Sequence, residues 1–176
     1  FGLPVFNADL EVIKIYKKNK KIFKKLKKTF PNHVFSFPIN KKELSNAVLK
    51  NVNNTNKINK IIHPEVRLKM KKFLKKNKKK RAVVLDIPLF LEGKINKKGD
   101  ILVFVESQKK EMNKRLKKRI NFNEKIFKKL KKLQLPLETK KRKSDFILQN
   151  NFKSLTIKKN VKILLKKIFE NERSST

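Results

Sequence analysis

Between Leu10 and Lys28 the apolar residues Val12, Ile15, Tyr16, Ile22, Phe23 and Leu26 follow helical spacing, and lysines cover the opposite face. One apolar stripe of this width predicts a single amphipathic helix over Leu10–Lys28. Shorter helical patterns occupy Glu43–Val52 and Ile58–Ile62, around the Asn-rich stretch Asn51–Asn56. Pro64 stands where a further helix should begin, because a first-turn proline lacks only an N–H that would be unpaired anyway. That helix should run to about Lys78. Basic helices are expected near Gln108–Arg119 and Glu124–Leu133, and Leu155–Phe169 closes the chain as another amphipathic helix. Four apolar runs are too short for helices. Pro4–Asp9 is a brief run ending in an acid, and Arg81–Ile87 and Ile101–Glu106 read as strands apolar on both faces. Ser144–Gln149 is the fourth. Phe30–Asn40 carries two prolines and reads as a connector.

Strands alternating with helices imply βαβ units, hence an α/β fold with a parallel sheet covered by helices on both sides. No internal repeat is visible, and the lysine-rich runs keep helical periodicity, so they read as folded. With 176 residues and 38% hydrophobic content, the chain suits one compact domain, or one core with small appendages. The absence of cysteine excludes disulfides and thiolate zinc sites. The longest apolar stretches, Ala82–Leu85 and Ile101–Val105, fall far short of a bilayer-spanning helix. No signal-peptide pattern opens the chain, and Phe1 is not an initiator. A soluble cytoplasmic protein that continues ahead of Phe1 is the expectation.

Charge complicates this picture. A formal net charge of +36 raises nucleic acid as a partner. The lysines, however, are spread from Lys14 to Lys167 rather than gathered in one patch, and only six arginines accompany them. Arginine is the better fork for phosphates and base edges. Lys, Asn and Ile share AT-rich codons, so compositional bias suffices to explain solvated lysine faces. No specific nucleic-acid partner is expected. The positive field would still speed encounter with an anionic substrate.

Ligands of parallel α/β sheets bind beyond the carboxyl ends of the strands, and three acids stand at or near such ends: Asp9, Asp86 and Glu92. Asp86 interrupts the apolar run Val83–Leu89, where a carboxylate needs a partner, a metal or a reacting group. It can equally cap the helix that follows. His33 and His63 show no metal-ligand spacing, and no serine lies in a GxSxG elbow. The only glycines, Gly2, Gly93 and Gly99, form no GxxxxGK[ST] phosphate loop.

Taken in order, the motifs resemble those of dephospho-coenzyme A kinases. Gly2-Leu3-Pro4-Val5-Phe6-Asn7-Ala8-Asp9 is similar to the family's G-x-P-V-x-D-A-D phrase, with Asn7 in place of the first aspartate. His63-Pro64-Glu65-Val66-Arg67 matches its HPxxR element. Asp86-Ile87-Pro88-Leu89-Phe90-Leu91-Glu92 resembles DxPLLFE. Arg115 and Arg119 precede Gln134-Leu135-Pro136-Leu137-Glu138-Thr139-Lys140, which resembles Q-x-P-L-E-x-K. Ser144-Asp145-Phe146-Ile147-Leu148-Gln149-Asn150 resembles A-D-x-V-I-x-N, and Phe152 stands where the family usually has glycine.

The resemblance implies a P-loop kinase core with a helical acceptor domain and a helical lid. The core would comprise residues 1–10, 81–106 and 144–176, the acceptor domain 11–80 and the lid 107–143. The family's phosphate loop and its central strand would lie upstream of Phe1, leaving these residues an inactive fragment. The implied reaction is phosphoryl transfer from ATP, with Mg²⁺, to the ribose 3′-hydroxyl of dephospho-coenzyme A. Asp9 would orient or deprotonate that hydroxyl, and Asp9 or Asp86 would hold Mg²⁺ through water. His63, Arg67 and Glu92 would serve the acceptor. Arg115, Arg119, Gln134, Lys140 and Asn150 would serve ATP. Other nucleotide kinases of the superfamily, a basic nucleic-acid-binding protein and a non-catalytic remnant are the competing readings. Oligomeric state is not specified.

Overall fold

The computed structural model describes residues 1–51, 53–119 and 122–173. The chain forms two compact units, Gly2–Pro88 and the residues from Leu89 onward together with Phe1.

The first unit begins with β1 (Val5–Asn7) and α1 (Ala8–Lys18). Asn7 starts α1 by accepting the Leu10 N–H on Oδ1 at 2.9 Å. Asp9 and Glu11 in the first turn and Lys17 and Lys18 in the last suit the helix dipole. The single helix expected over Leu10–Lys28 is in fact two. Asn19 closes α1 with its N–H on the Ile15 carbonyl and caps α2 (Lys20–Thr29) with its side chain on the Ile22 N–H. A side-chain oxygen able to satisfy a backbone N–H competes with helix continuation, although the apolar period runs straight through.

The Pro-containing connector folds into the core: Phe30, Val34 and Ile39 are buried, and the Ile39 N–H donates to the Tyr16 carbonyl. Glu43 of α3 (Lys41–Lys50) ties the connector down, accepting from the Phe35 and Ser36 N–H groups and the Ser36 hydroxyl. Val52, the expected end of this helix, lies outside the described residues. Next comes α4 (Asn54–Lys76), one continuous helix where two were expected, with Pro64 in its interior rather than at its start. The proline deprives Lys60 of its intrahelical partner. The burial of Ile58 and Ile62 before it and Met70 after it outweighs that loss. β2 (Val84–Asp86) ends the unit, pairing parallel to β1 with Val5, Phe6 and Asn7 opposite Val84, Leu85 and Asp86. Phe6 is buried against Phe73 of α4, ring centres 5.6 Å apart, whereas Val5 and Val84 on the other face are exposed. Among the described residues, the apolar cover expected on both faces is found on the α4 face only.

The second unit opens with a turn over Leu89–Ile95 in which the Ile95 N–H reaches the Phe90 carbonyl and the Lys94 N–H that of Leu91. A Cβ on Gly93 would stand 3.0 Å from the Leu89 carbonyl oxygen, a tight approach that favours glycine in the turn. β3 (Val103–Glu106), α5 (Lys109–Lys117), α6 (Glu124–Lys131), α7 (Leu137–Arg142), β4 (Phe146–Gln149) and α8 (Ser154–Arg173) follow. β3 and β4 pair parallel, Val103 opposite Phe146 and Glu106 opposite Gln149. Asp145 adds to the ladder by accepting the Leu102 N–H on Oδ2 at 2.7 Å. Val103, Val105 and Ile147 are exposed, so among the described residues this sheet is not fully covered. Among the described residues no helix is long and apolar enough to cross a membrane.

Candidate functional site

Each sheet ends in a polar pair at its carboxyl edge. In the first unit, Asn7 Nδ2 donates to Asp86 Oδ2 at 2.6 Å. Since Asn7 Oδ1 already caps α1, the amide is oriented at both ends and fixes Asp86 beside the start of that helix. Asp9 lies two residues on, in the first turn of α1. Its carboxylate is exposed and has no hydrogen bond or ion pair among the described residues, leaving it available to a ligand.

His63 and Arg67 stand one turn apart on the same side of α4. Burial and then the neighbouring Arg67 charge push the His63 pKa below its ordinary value, so the imidazole favours its neutral form. Arg67 is exposed and free of any ion pair among the described residues. Beside β1, an open cleft of about 400 Å³ between α1 and α4 is rimmed by Lys14, Lys69 and Lys72. Glu11 partly neutralises it, reaching Lys14 at 2.6 Å and Lys69 at 3.4 Å.

In the second unit Glu92 and Lys140 meet each other, Oε1 to Nζ 2.7 Å, with side chains only 12% and 15% exposed. The Leu135 N–H donates to the same Glu92 oxygen at 3.0 Å, so the pair fastens the Leu89–Ile95 turn to the segment running from Gln134 to Lys140. Burial raises the Glu92 pKa, but hydrogen bonds from Lys140 and the Leu135 N–H, with the Lys140 charge, outweigh it, and the carboxyl is held below its usual range. Gln134 is exposed next to this fastening. Arg115 on α5 stacks over the Phe152 ring, and Asn150 accepts the Phe152 N–H on Oδ1. Arg119, past the end of α5, is exposed.

The sequence reading passed over Glu106, which ends β3 as Asp86 ends β2. It accepts from Lys141 at 2.6 Å and from the Gln149 amide, contacts that draw its pKa down. An acid closing an apolar strand was the available signal. Asn7 and Phe152, which depart from the motif, contact Asp86 and Arg115.

Among the described residues no three His, Cys, Asp or Glu side chains converge as a metal site. The exposed carboxylates Asp9 and Asp86 nonetheless offer the hard oxygen donors that Mg²⁺ takes in ones and twos beside substrate phosphates.

Parallel strands with helices between them and carboxylates at their carboxyl ends make this a mixed α/β protein. Two solved structures share the fold. A Thermus thermophilus protein matches with a TM-score of 0.70 at 23% identity, covering 97% of this chain and 85% of that one. The dephospho-CoA kinase from Campylobacter jejuni matches at 0.65 and 21%, covering 97% and 87%. The family model described as dephospho-CoA kinase matches residues 1–155. Dephospho-CoA kinases of Bartonella quintana and Bartonella henselae are 33% and 31% identical, over 84% and 97% of this chain and 76% and 88% of their own lengths. The chain belongs to the dephospho-CoA kinase family.

Proposed function

We propose that this protein transfers the γ-phosphoryl group of ATP to the ribose 3′-hydroxyl of dephospho-coenzyme A, the last step of coenzyme A synthesis, in the cytoplasm. The observation that carries the reading is the free Asp9 carboxylate in the first turn of α1, next to the Asn7–Asp86 pair at the carboxyl ends of β1 and β2.

Asp9 takes the proton of the 3′-hydroxyl as its oxygen attacks the γ-phosphorus, the bond from that phosphorus to the β,γ-bridging oxygen breaks, and ADP leaves. Asp86, steadied by Asn7, or Asp9 would hold Mg²⁺, which would supply positive charge against the phosphate oxygens. Arg67, supported by a neutral His63, grips the acceptor's phosphates with a planar fork. Arg115 and Arg119 close over the ATP phosphates, and Asn150 contacts adenine through its amide N–H groups. Gln134 serves the same nucleotide. Glu92 and Lys140, bonded to one another, act chiefly by shaping the turn and the segment they join, and Lys140 touches phosphate only by exchanging that partner. In domain terms, residues 1–10, 81–106 and 144–176 form the kinase core, 11–80 the acceptor domain and 107–143 the lid.

No GxxxxGK[ST] occurs in these residues. The reading needs a triphosphate cradle and a central strand that these residues do not supply, so the test joins such a segment ahead of Phe1. The test is ADP release by the chain carrying such a strand–loop–helix segment. ADP should form only when dephospho-coenzyme A is supplied, and the 176 residues alone should release none. A folded, loop-bearing protein with no acceptor-dependent ADP would sink the proposal.

A further inference from the structure

Arg115 lies in the last turn of α5, exposed, and among the described residues it forms no ion pair. Its guanidinium carbon instead stands 4.2 Å from the centre of the Phe152 ring. The ring is carried by a turn of defined geometry. The φ of Phe152 is 62°, the left-handed region that bulky L residues avoid. Its N–H donates to Asn150 Oδ1 at 2.9 Å, and that of Lys153 donates to Asn151 Oδ1 at 3.0 Å. Asn150 is in turn joined to the sheet, its N–H 2.7 Å from the Glu106 carbonyl. Two side-chain turns and a ladder bond thus hold the strained residue with its ring against α5.

The manner of the contact matters chemically. A carboxylate partner would occupy the in-plane N–H donors of Arg115. A ring on the guanidinium face restrains the side chain and leaves all five donors at its edge free for an anion. We propose that Phe152 is a positioning residue for Arg115, stacking on the guanidinium face so that its edge is preset for the phosphates of ATP. This rests on the reading of Arg115 as an ATP-contacting lid residue.

ATP affinity, measured by titration calorimetry on the loop-bearing full chain, tests it. Phe152→Leu and Phe152→Gly should each weaken ATP binding about 2- to 5-fold, the size of an exposed cation–π contact. Phe152→Tyr, which keeps the ring, should restore it. In an Arg115→Ala background Phe152→Leu should add nothing. If Arg115→Ala weakens binding while Phe152→Leu does not, the positioning role is wrong and the lid reading stands. If Arg115→Ala leaves affinity unchanged, the lid reading itself fails and takes this inference with it. A Phe152→Leu loss that persists without Arg115 would mean that the ring acts on the nucleotide directly. Normal affinity in Phe152→Gly beside a loss in Phe152→Leu would trace the effect to backbone strain. Either result overturns the positioning role.

Discussion

The unit Gly2–Pro88 and the unit that follows it both hold a two-stranded parallel sheet ending in a side-chain pair, Asn7 with Asp86 in one and Glu106 with Gln149 in the other. They differ in what surrounds the sheet. Every buried hydrophobic residue among those described, from Phe6 to Met70, belongs to the first unit. Its helices and connector enclose one continuous cluster running from Ile15 to Ile62. In the second unit cohesion comes from the β3–β4 ladder, from the Glu92–Lys140 and Glu106–Lys141 pairs, and from contacts such as Arg115 on Phe152. Hydrophobic closure does not reverse with a proton or a ligand, whereas ion pairs and a stacked arginine can exchange partners. A rigid first unit and a looser second unit follow from that contrast, and segments that close over a ligand belong at the low-stability end of a fold.

The largest expected effect sharpens the contrast at the chemistry. Asp9→Asn in the loop-bearing chain should cut turnover about 10²- to 10⁴-fold, as removal of a positioned base does, with little change in ATP binding. Near-normal turnover would remove Asp9 from the mechanism. In the packed unit, Leu26 is fully buried, and Leu26→Ala should destabilise by about 2–5 kcal/mol in denaturant unfolding. No single hydrophobic truncation in the second unit should match it; one that did would break the comparison.

Glu92→Gln should cost about 1.5–3 kcal/mol by removing a charged hydrogen-bond acceptor from a nearly buried pair. Its pH signature has a definite sign. The folded pKa of Glu92 lies below the unfolded one, so this stabilisation is complete above the ordinary carboxylate range and is lost as pH falls through the folded value. Acid unfolding of the second unit should therefore lose part of its steepness in Glu92→Gln. An unchanged acid limb would show that the pair contributes nothing. The smallest effect concerns His63, which should titrate below the ordinary histidine value near 6.5 in the free protein. It should move upward when the acceptor's phosphates offset the Arg67 charge, as followed by NMR. An unshifted titration would detach His63 from the acceptor site.

Much of this arrangement was legible in the residues, though unevenly. The four apolar runs marked the four strands because β-branched and aromatic residues cluster there. Their lengths were overread, since a ladder of three or four residues needs fewer apolar positions than a run supplies. Asn19 was invisible as a break because lysines and apolar residues keep their period on both sides of it. Pro31 and Pro38 mark the stretch holding Phe30, Val34 and Ile39 as a connector, yet irregular backbone buries side chains well when Glu43 satisfies its N–H groups. Pro64 misled in the opposite way: the local rule puts proline at a helix start, and tertiary burial of Ile58 and Ile62 overrode it. Of the candidate site residues, Asp9, Asp86, His63 and Arg67 were marked by motif order. The Glu92–Lys140 pair joins residues 48 apart in sequence, and no local pattern announces such a contact.

Amide hydrogen exchange on the loop-bearing chain, with and without each ligand, tests the division of labour most directly. The account predicts that dephospho-coenzyme A slows exchange along α4 around His63–Arg67. A non-hydrolysable ATP analogue should slow it in α5 and in the turn Asn150–Lys153. Acceptor-dependent protection confined to the second unit, or ATP-dependent protection that spares α5 and that turn, would contradict it.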